Sequence, residues 1–151
     1  MIPTLDDGVL PEGIHDCPAD EVAEAFGRFQ RSDRRMKLME KLTAYLRDAK
    51  QSALVLWVII DGSFVTAKDE PEDIDLIVVL KPDIDWEGLR PFEYNAVSKR
   101  MIKQLYRFDA FAYPEESPRY PEMLEFFQRV NTEKNAGLTS RIRKGVLRVN
   151  I

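Results

Sequence analysis

Two short motifs between residues 61 and 76 contain the residue types that bind phosphate groups and metal ions. Gly62-Ser63 follows an apolar run, and a glycine there lets the backbone approach a phosphate closely while the next amides face the anion. Ten residues after Ser63 comes Asp73-Ile74-Asp75, at the start of a second apolar run. Side chains alternate between the two faces of a strand, so both aspartates are expected on one face. Together the motifs predict a site for a phosphorylated ligand.

Asp73 and Asp75 are expected to share a cation. Like charges at this spacing raise each other's pKa, whereas a hard divalent cation favours ionised oxygen ligands. Asp109, in a third predicted strand, alternates with Phe108 and Ala110 and can present a third carboxylate to the same place. Three carboxylates and a bound phosphate match a two-metal site for in-line phosphoryl or nucleotidyl transfer. Mg²⁺ is therefore the predicted cofactor.

The elements that must position these residues follow from the spacing of apolar side chains. Leu54 to Ile60 and Ile74 to Leu80 are almost unbroken apolar runs of strand length, which predicts two buried central strands. Helices are predicted over 20–26, over 32–50 with Ser32 as the N-cap, over 95–105 and from Pro121 to Val130, and further strands over 106–113 and 145–151. This order predicts an α/β (α+β) fold in which helices flank a mixed sheet.

Length and composition bound the class of protein. The chain has 151 residues, 44% of them hydrophobic, which is enough for one compact domain with its own core. We expect an N-terminal arm with a short helix over 1–31 and a single domain over 32–151. No run approaches the ~18 apolar residues of a membrane span, and the N-terminus lacks the pattern of a secretory leader. With one cysteine, Cys17, the chain is expected to be soluble and cytoplasmic, without membrane contact.

The net charge of the chain and its distribution limit the kinds of partner that the protein can bind. The net charge of -4 argues against duplex DNA, whose binding needs a strong positive field. Two segments are locally basic, the predicted helix over 32–50 with Arg31 before it and the tail RIRKGVLR at 141–148, and each is either a solvated surface or a site for RNA or an acidic protein partner. His15-Asp16-Cys17 is not a zinc site, because the chain has no other histidine or cysteine.

The stretch from Leu54 to Tyr113 resembles the nucleotidyltransferase superfamily of the DNA polymerase beta type, in particular the small prokaryotic minimal nucleotidyltransferases. The family pattern is a hydrophobic strand, Gly-Ser, about ten residues, Asp-x-Asp in a second strand and a lone acidic residue in a third; here it is LWVIIDGSFVTAKDEPEDIDLIVVL and then YRFDAFAY. The resemblance implies a nucleotidyltransferase-like fold. It also implies that Gly62 and Ser63 bind a nucleoside triphosphate, that Asp73 and Asp75 ligate both metals, and that Asp109 ligates one and helps activate the acceptor hydroxyl.

The activity that the resemblance implies is transfer of a nucleoside monophosphate, such as AMP, to a hydroxyl of a protein, an RNA or a small molecule. Lys68 is the one cation in the loop that we expect at the triphosphate, with Arg34, Arg35 and Lys81 as more distant candidates. Family members usually carry a second helical region that binds the base or the acceptor, and only a short stretch follows Tyr113 here. The alternative is a nucleotidyltransferase-like regulatory or interaction module, such as one component of a toxin–antitoxin pair.

Overall fold

The computed structural model describes all residues from Met1 to Ile151 and contains one mixed sheet with helices on both faces. The sheet has five strands in the order β1-β5-β2-β3-β4. The strands are β1 (Ile14–Asp16), β2 (Val55–Asp61), β3 (Asp75–Leu80), β4 (Asp109–Pro114) and β5 (Val146–Asn150). The helices are α1 (Ala19–Phe26), α2 (Arg34–Ser52), α3 (Pro91–Val97), α4 (Lys99–Tyr106) and α5 (Arg119–Phe127). None of these helices is long and apolar enough to cross a membrane.

Strand register places three aspartates in one row across the sheet. β3 runs antiparallel to β2 and parallel to β4, and Asp75 is paired with Asp61 on one side and with Asp109 on the other. Directly opposed residues of neighbouring strands project from the same face of a sheet. The row Asp61, Asp75, Asp109 therefore lies on one face, at one end of the three strands.

The core occupies both faces of the sheet. The larger cluster packs the alternate β2 and β3 residues Val58, Ile60, Leu76 and Val78 under α1 to α4, and the fully buried Leu42 and Tyr45 of α2 belong to it. The smaller cluster contains Ile59, Ile77, Val79, Phe127 and Val146, so α5 covers the opposite face. The aspartate row belongs to this second face, where α5 ends.

The predicted central strands, the long helix and the closing strand are confirmed to within about two residues, a normal uncertainty for element ends. The predicted helix over 95–105 is instead two helices. Ser98 separates them because its side chain accepts a hydrogen bond from the Met101 amide and begins α4. The predicted strand over 106–113 begins only at Asp109, since Tyr106 still belongs to α4 and Arg107 ends that helix in the left-handed conformation (φ 68°).

The segment 1–31 packs into the same core as the rest of the chain. It contributes β1, which was not predicted and which pairs in parallel with β5. Val9, Leu10 and Val22 of this segment are no more than 2% exposed. Its short helix was predicted over 20–26 and is α1 in the structure.

Candidate functional site

The turn after β2 brings two segments of backbone into contact. Gly62 follows the last residue of β2 and has a φ of +97°, which side-chain-bearing residues rarely adopt. A Cβ atom at this position would lie 2.8 Å from the carbonyl oxygen of Asp73 and 3.0 Å from the amide nitrogen of Asp75. A glycine is therefore required for the β2 turn to pack against the start of β3.

Ser63 fixes the segment that carries Asp73. Its hydroxyl donates to Oδ1 of Asp73 at 2.6 Å and accepts from the amides of Glu72 at 2.9 Å and Asp73 at 3.2 Å. Its own amide donates to the same Oδ1 at 2.8 Å. Because Ser63 holds both the backbone and the carboxylate, it sets the direction in which the second oxygen of Asp73 points.

A cleft of about 450 Å³ opens beside this turn. Gly62, Ser63, Asp73 and Asp75 line it, and so does Asp61, the last residue of β2. The opposite wall comes from α5 and the segment that follows it. That wall contributes Phe126, Phe127, Arg129, Val130, Asn131, Lys134 and Asn135, and Lys144 adds a further cation.

Each of the carboxylates around Asp75 is paired with a lysine. Nζ of Lys134 lies 3.2 Å from Oδ2 of Asp73, and Nζ of Lys144 forms an ion pair with Oδ1 of Asp61. Asp109 is paired in the same way with Lys103, at 3.0 Å.

Asp75 itself has no such partner. Burial raises its pKa to about 7, and the charges of Asp73, Asp61 and Asp109 add to that rise. No hydrogen bond contributes to lowering it. The charge of Lys134 opposes this rise but is the smallest of the effects, so Asp75 is the carboxylate of the cluster that has no ion-pair partner of its own.

The flanking carboxylates differ from Asp75 for identifiable reasons. Burial also raises the pKa of Asp61, although the ion pair with Lys144 opposes that effect. For Asp73 burial again acts upward, but the hydrogen bonds from Ser63 and the pairing with Lys134 outweigh it and hold the pKa below its usual value. Asp73 is therefore the most readily ionised ligand candidate on the cleft.

Two predicted site residues lie outside the cleft. Asp109 adjoins Asp75 in the aspartate row but opens into the next groove, which Lys99, Arg100, Lys103, Phe108 and Ala110 also line. Lys68 does not line the cleft; its Nζ lies 3.7 Å from Oε1 of Glu72. Ser63 therefore lines the cleft and Lys68, five residues later, does not.

The basic helix was predicted to be a solvated surface, with Arg34 and Arg35 as distant candidates for binding a phosphate, and for Arg35 this prediction is wrong. Its side chain is 3% exposed and donates to four backbone carbonyls, those of Phe26, Phe64, Thr66 and Lys68. Arg35 therefore ties the segment after Ser63 to α1 and α2. Arg31 and Arg34 pair with Asp69 and Glu70 of the same segment.

The basic tail is also paired within the chain. Arg141 binds Asp6, Arg143 binds Glu125, Lys144 binds Asp61 and Arg148 binds Asp16. These contacts join the tail to the N-terminal segment, to α5 and to the cleft.

Comparison with known protein families gives one match. The model of a family of unknown function, DUF6932, matches residues 3–150. The chain belongs to the DUF6932 family. The matched range includes every residue of the cleft and of the aspartate row. No curated protein and no solved structure matches this DUF6932 chain.

The donor atoms of the DUF6932 site suit Mg²⁺, which prefers carboxylate oxygens. Asp75 supports this fit, because a shared cation would relieve the repulsion that raises its pKa. As the side chains stand, no three acidic, histidine or cysteine residues converge closely enough to hold a metal ion. Lysines hold Asp61, Asp73 and Asp109 instead, so a metal would have to compete with these ammonium groups.

Several residues of the DUF6932 site were not predicted from sequence. Asp61 directly precedes Gly62 at the end of a buried strand, so its position in the sequence could have identified it as a residue of the site. Nothing in the sequence marks Lys134 and Lys144 as site residues, since each lies far along the chain from its aspartate and pairs with it only in the folded state. These two lysines line the cleft, whereas Lys68 of the loop after Ser63 does not.

Proposed function

We propose that this DUF6932 protein is a magnesium-dependent nucleotidyltransferase with a nucleotidyltransferase-like fold. It transfers a nucleoside monophosphate from a nucleoside triphosphate to an acceptor hydroxyl. The bond from the acceptor oxygen to the α-phosphorus forms, the bond from that phosphorus to the bridging oxygen breaks, and pyrophosphate leaves. The observation that carries the proposal is Asp75, which forms no ion pair, has the carboxylates of Asp61, Asp73 and Asp109 near it and lines a cleft built on Gly62-Ser63.

The cleft is suited to the donor nucleotide. Lys134 and Lys144 place two ammonium groups on its wall, and Arg129 adds a third positive charge. Each is paired within the chain, with Asp73, Asp61 and Glu125 respectively, so a triphosphate, which carries several negative charges at neutral pH, would bind by taking these cations over from the carboxylates. Phe126 lines the same cleft and is 63% exposed, so its ring offers an apolar face for a nucleobase.

Asp73, Asp75 and Asp109 are the residues that would hold magnesium. When bound, Mg²⁺ neutralises charge on the phosphates and favours in-line attack on the α-phosphorus. Ser63 contributes by fixing the carboxylate of Asp73 through two hydrogen bonds to Oδ1. The neighbouring Asp61 keeps Lys144 at the cleft through their ion pair.

The acceptor would approach from the side of Asp109. Asp75 and Asp109 are register partners on adjacent strands, but Asp75 faces the cleft and Asp109 the next groove. A hydroxyl in that groove would lie next to the donor site without entering it. The carboxylate of Asp109 is the nearest base to take its proton as the new bond forms.

The decisive experiment is titration calorimetry of Mg-ATP against the wild type and the Asp73→Asn/Asp75→Asn variant, repeated with GTP, CTP and UTP. The matched control is Asp20→Asn/Asp83→Asn, which removes the same charge from two exposed positions outside the cleft. Magnesium-dependent binding by the wild type and the control, lost in the site variant, is the expected result. Release of pyrophosphate with an acceptor would then establish transfer.

Failure of every nucleotide to bind would overturn the proposal. The alternative of a nucleotidyltransferase-like interaction module, such as one half of a toxin–antitoxin pair, would then take its place. Co-purification of a stoichiometric protein partner is the measurement that supports that alternative.

A further inference from the structure

The groove beside Asp109 is basic, although the chain as a whole is acidic. Lys99, Arg100 and Lys103 of α4 line it, and Asp109 is its only acidic residue. All three cations are exposed, and of these only Lys103 is engaged in an ion pair, that with Asp109. Two of the three positive charges therefore remain available to an anionic ligand at this point.

Aromatic side chains continue this groove along the edge of the sheet. β4 is an edge strand, and a second groove beside it is lined by Trp86, Tyr94, Phe111 and Tyr113. Lys99 belongs to both grooves, and its Nζ lies 4.3 Å from the centre of the Phe111 ring. Trp86 and Tyr94 are 47% and 43% exposed, so nearly half of each ring is open to a ligand.

We infer that the acceptor is the end of a single-stranded nucleic acid, whose phosphates lie against Lys99 and Arg100 and whose bases stack on Trp86 and Tyr94. The inference rests on the proposed function, because it assigns the terminal hydroxyl to Asp109. Proteins that bind single-stranded nucleic acids combine cations along the path of the phosphate backbone with exposed aromatic rings on which the bases stack. An acidic peptide would satisfy the cations but does not carry a planar base on every backbone unit, as a single strand does, and the bases of a duplex are already stacked on one another.

The test is fluorescence anisotropy with a labelled single-stranded RNA of roughly ten nucleotides, a length typical of such sites. A single-stranded DNA of the same sequence is measured in parallel and shows whether the 2′-hydroxyl of the sugar contributes to binding. The charge variant is Lys99→Glu/Arg100→Glu, and the ring variant is Trp86→Ala/Tyr94→Ala. The control is Lys41→Glu/Lys50→Glu, which makes the same charge change at two exposed lysines of α2 outside both grooves. Thermal melts establish that every variant is folded.

The charge variant is expected to weaken binding by tenfold or more at about 0.1 M salt. The slope of log affinity against log salt concentration should also decrease by about one or more, which corresponds to the loss of at least one phosphate contact. The ring variant is expected to weaken binding about tenfold with the salt dependence unchanged. The control should stay within about twofold of the wild type.

Three results would overturn the inference. These are an absence of RNA and DNA binding up to about 100 µM, where non-specific complexes already form; equal effects of the groove and control variants; and displacement of the oligonucleotide by poly-glutamate as effectively as by unlabelled RNA. The calorimetric titration with Mg-ATP separates the two proposals. Loss of nucleotide binding with intact RNA binding would overturn the donor site alone, and the reverse would overturn the acceptor groove alone.

Discussion

Asp61 and Lys144 form an ion pair at the base of the cleft, where their side chains are only 8% and 12% exposed. Removing one member of a buried pair leaves the other charge uncompensated. We therefore expect Lys144→Met to lower the free energy of unfolding by about 3 kcal/mol. The double variant Asp61→Asn/Lys144→Met should recover most of that loss, and urea denaturation of the four proteins measures both effects.

The exposed pair Arg141–Asp6 is the control. Its side chains are 52% and 53% exposed, so Arg141→Met should cost less than about 1 kcal/mol. If Lys144→Met costs no more than Arg141→Met, solvent reaches the pair at the cleft and the account of its burial is wrong.

Gly62→Ala should destabilise the protein by about 3 kcal/mol, the sum of a positive φ and a collision with backbone that cannot yield. The new Cβ would meet the carbonyl oxygen of Asp73 at 2.8 Å. The same change at Gly137, where nothing lies within 4 Å, should have little effect. Urea denaturation compares the two variants, and equal stabilities would contradict the close packing of this turn.

Asp75→Asn should change how stability depends on pH. The folded protein raises the pKa of Asp75 from 3.8 to about 7, so the native state retains a proton that the unfolded chain releases. The contribution of this group to stability therefore falls as pH rises through that window. The asparagine variant should match the wild type near pH 4. At pH 8 it should be more stable by about 2 kcal/mol, a value reduced for the partial exposure of the carboxylate.

Thermal melts of the two proteins across this pH range check the prediction. Groups far from the cleft affect both proteins alike, so the difference between the two curves reports Asp75 together with the carboxylates coupled to it, Asp61, Asp73 and Asp109. A constant difference at all pH values would show that Asp75 titrates near its ordinary value.

Magnesium should stabilise the wild type in a pH-dependent way. A ligand that binds only the native state raises the melting temperature. At pH 8 Asp75 is ionised and Mg²⁺ should raise the melting temperature, whereas at pH 5.5 Asp75 is protonated and the effect should be much smaller. NaCl at equal ionic strength is the control for screening. Equal stabilisation by both salts would argue against a magnesium site.

The central elements were predictable because they are encoded locally. The apolar runs of β2 and β3 are long enough to specify buried strands. Asp73 and Asp75 both line the cleft, but β3 begins only at Asp75, so the hydrogen bonds from Ser63 rather than strand alternation position Asp73. Gly62 was identifiable as a glycine that allows a close approach of the backbone, and in the structure that approach is to the backbone of Asp73 and Asp75.

The remaining features depend on contacts between distant segments. β1 has three residues, too few for any alternation to be recognised, and it exists because β5 offers it a partner. The break at Ser98 arises from a single capping hydrogen bond within a continuous helical pattern. Lys134 and Lys144 look like ordinary surface lysines in the sequence, since only the tertiary fold brings them to Asp73 and Asp61.

The position of β5 has a consequence for biosynthesis. β5 follows the other four strands in sequence, yet it lies between β1 and β2 in the sheet. During translation β1 therefore emerges early but has no strand to pair with until β5 leaves the ribosome. Until then the β2 edge around Ile59 is uncovered, which makes the nascent chain a candidate for chaperone binding. Lys144 lies two residues before β5, so a chain that terminates before this segment would lack both the fifth strand of the sheet and a cation of the cleft.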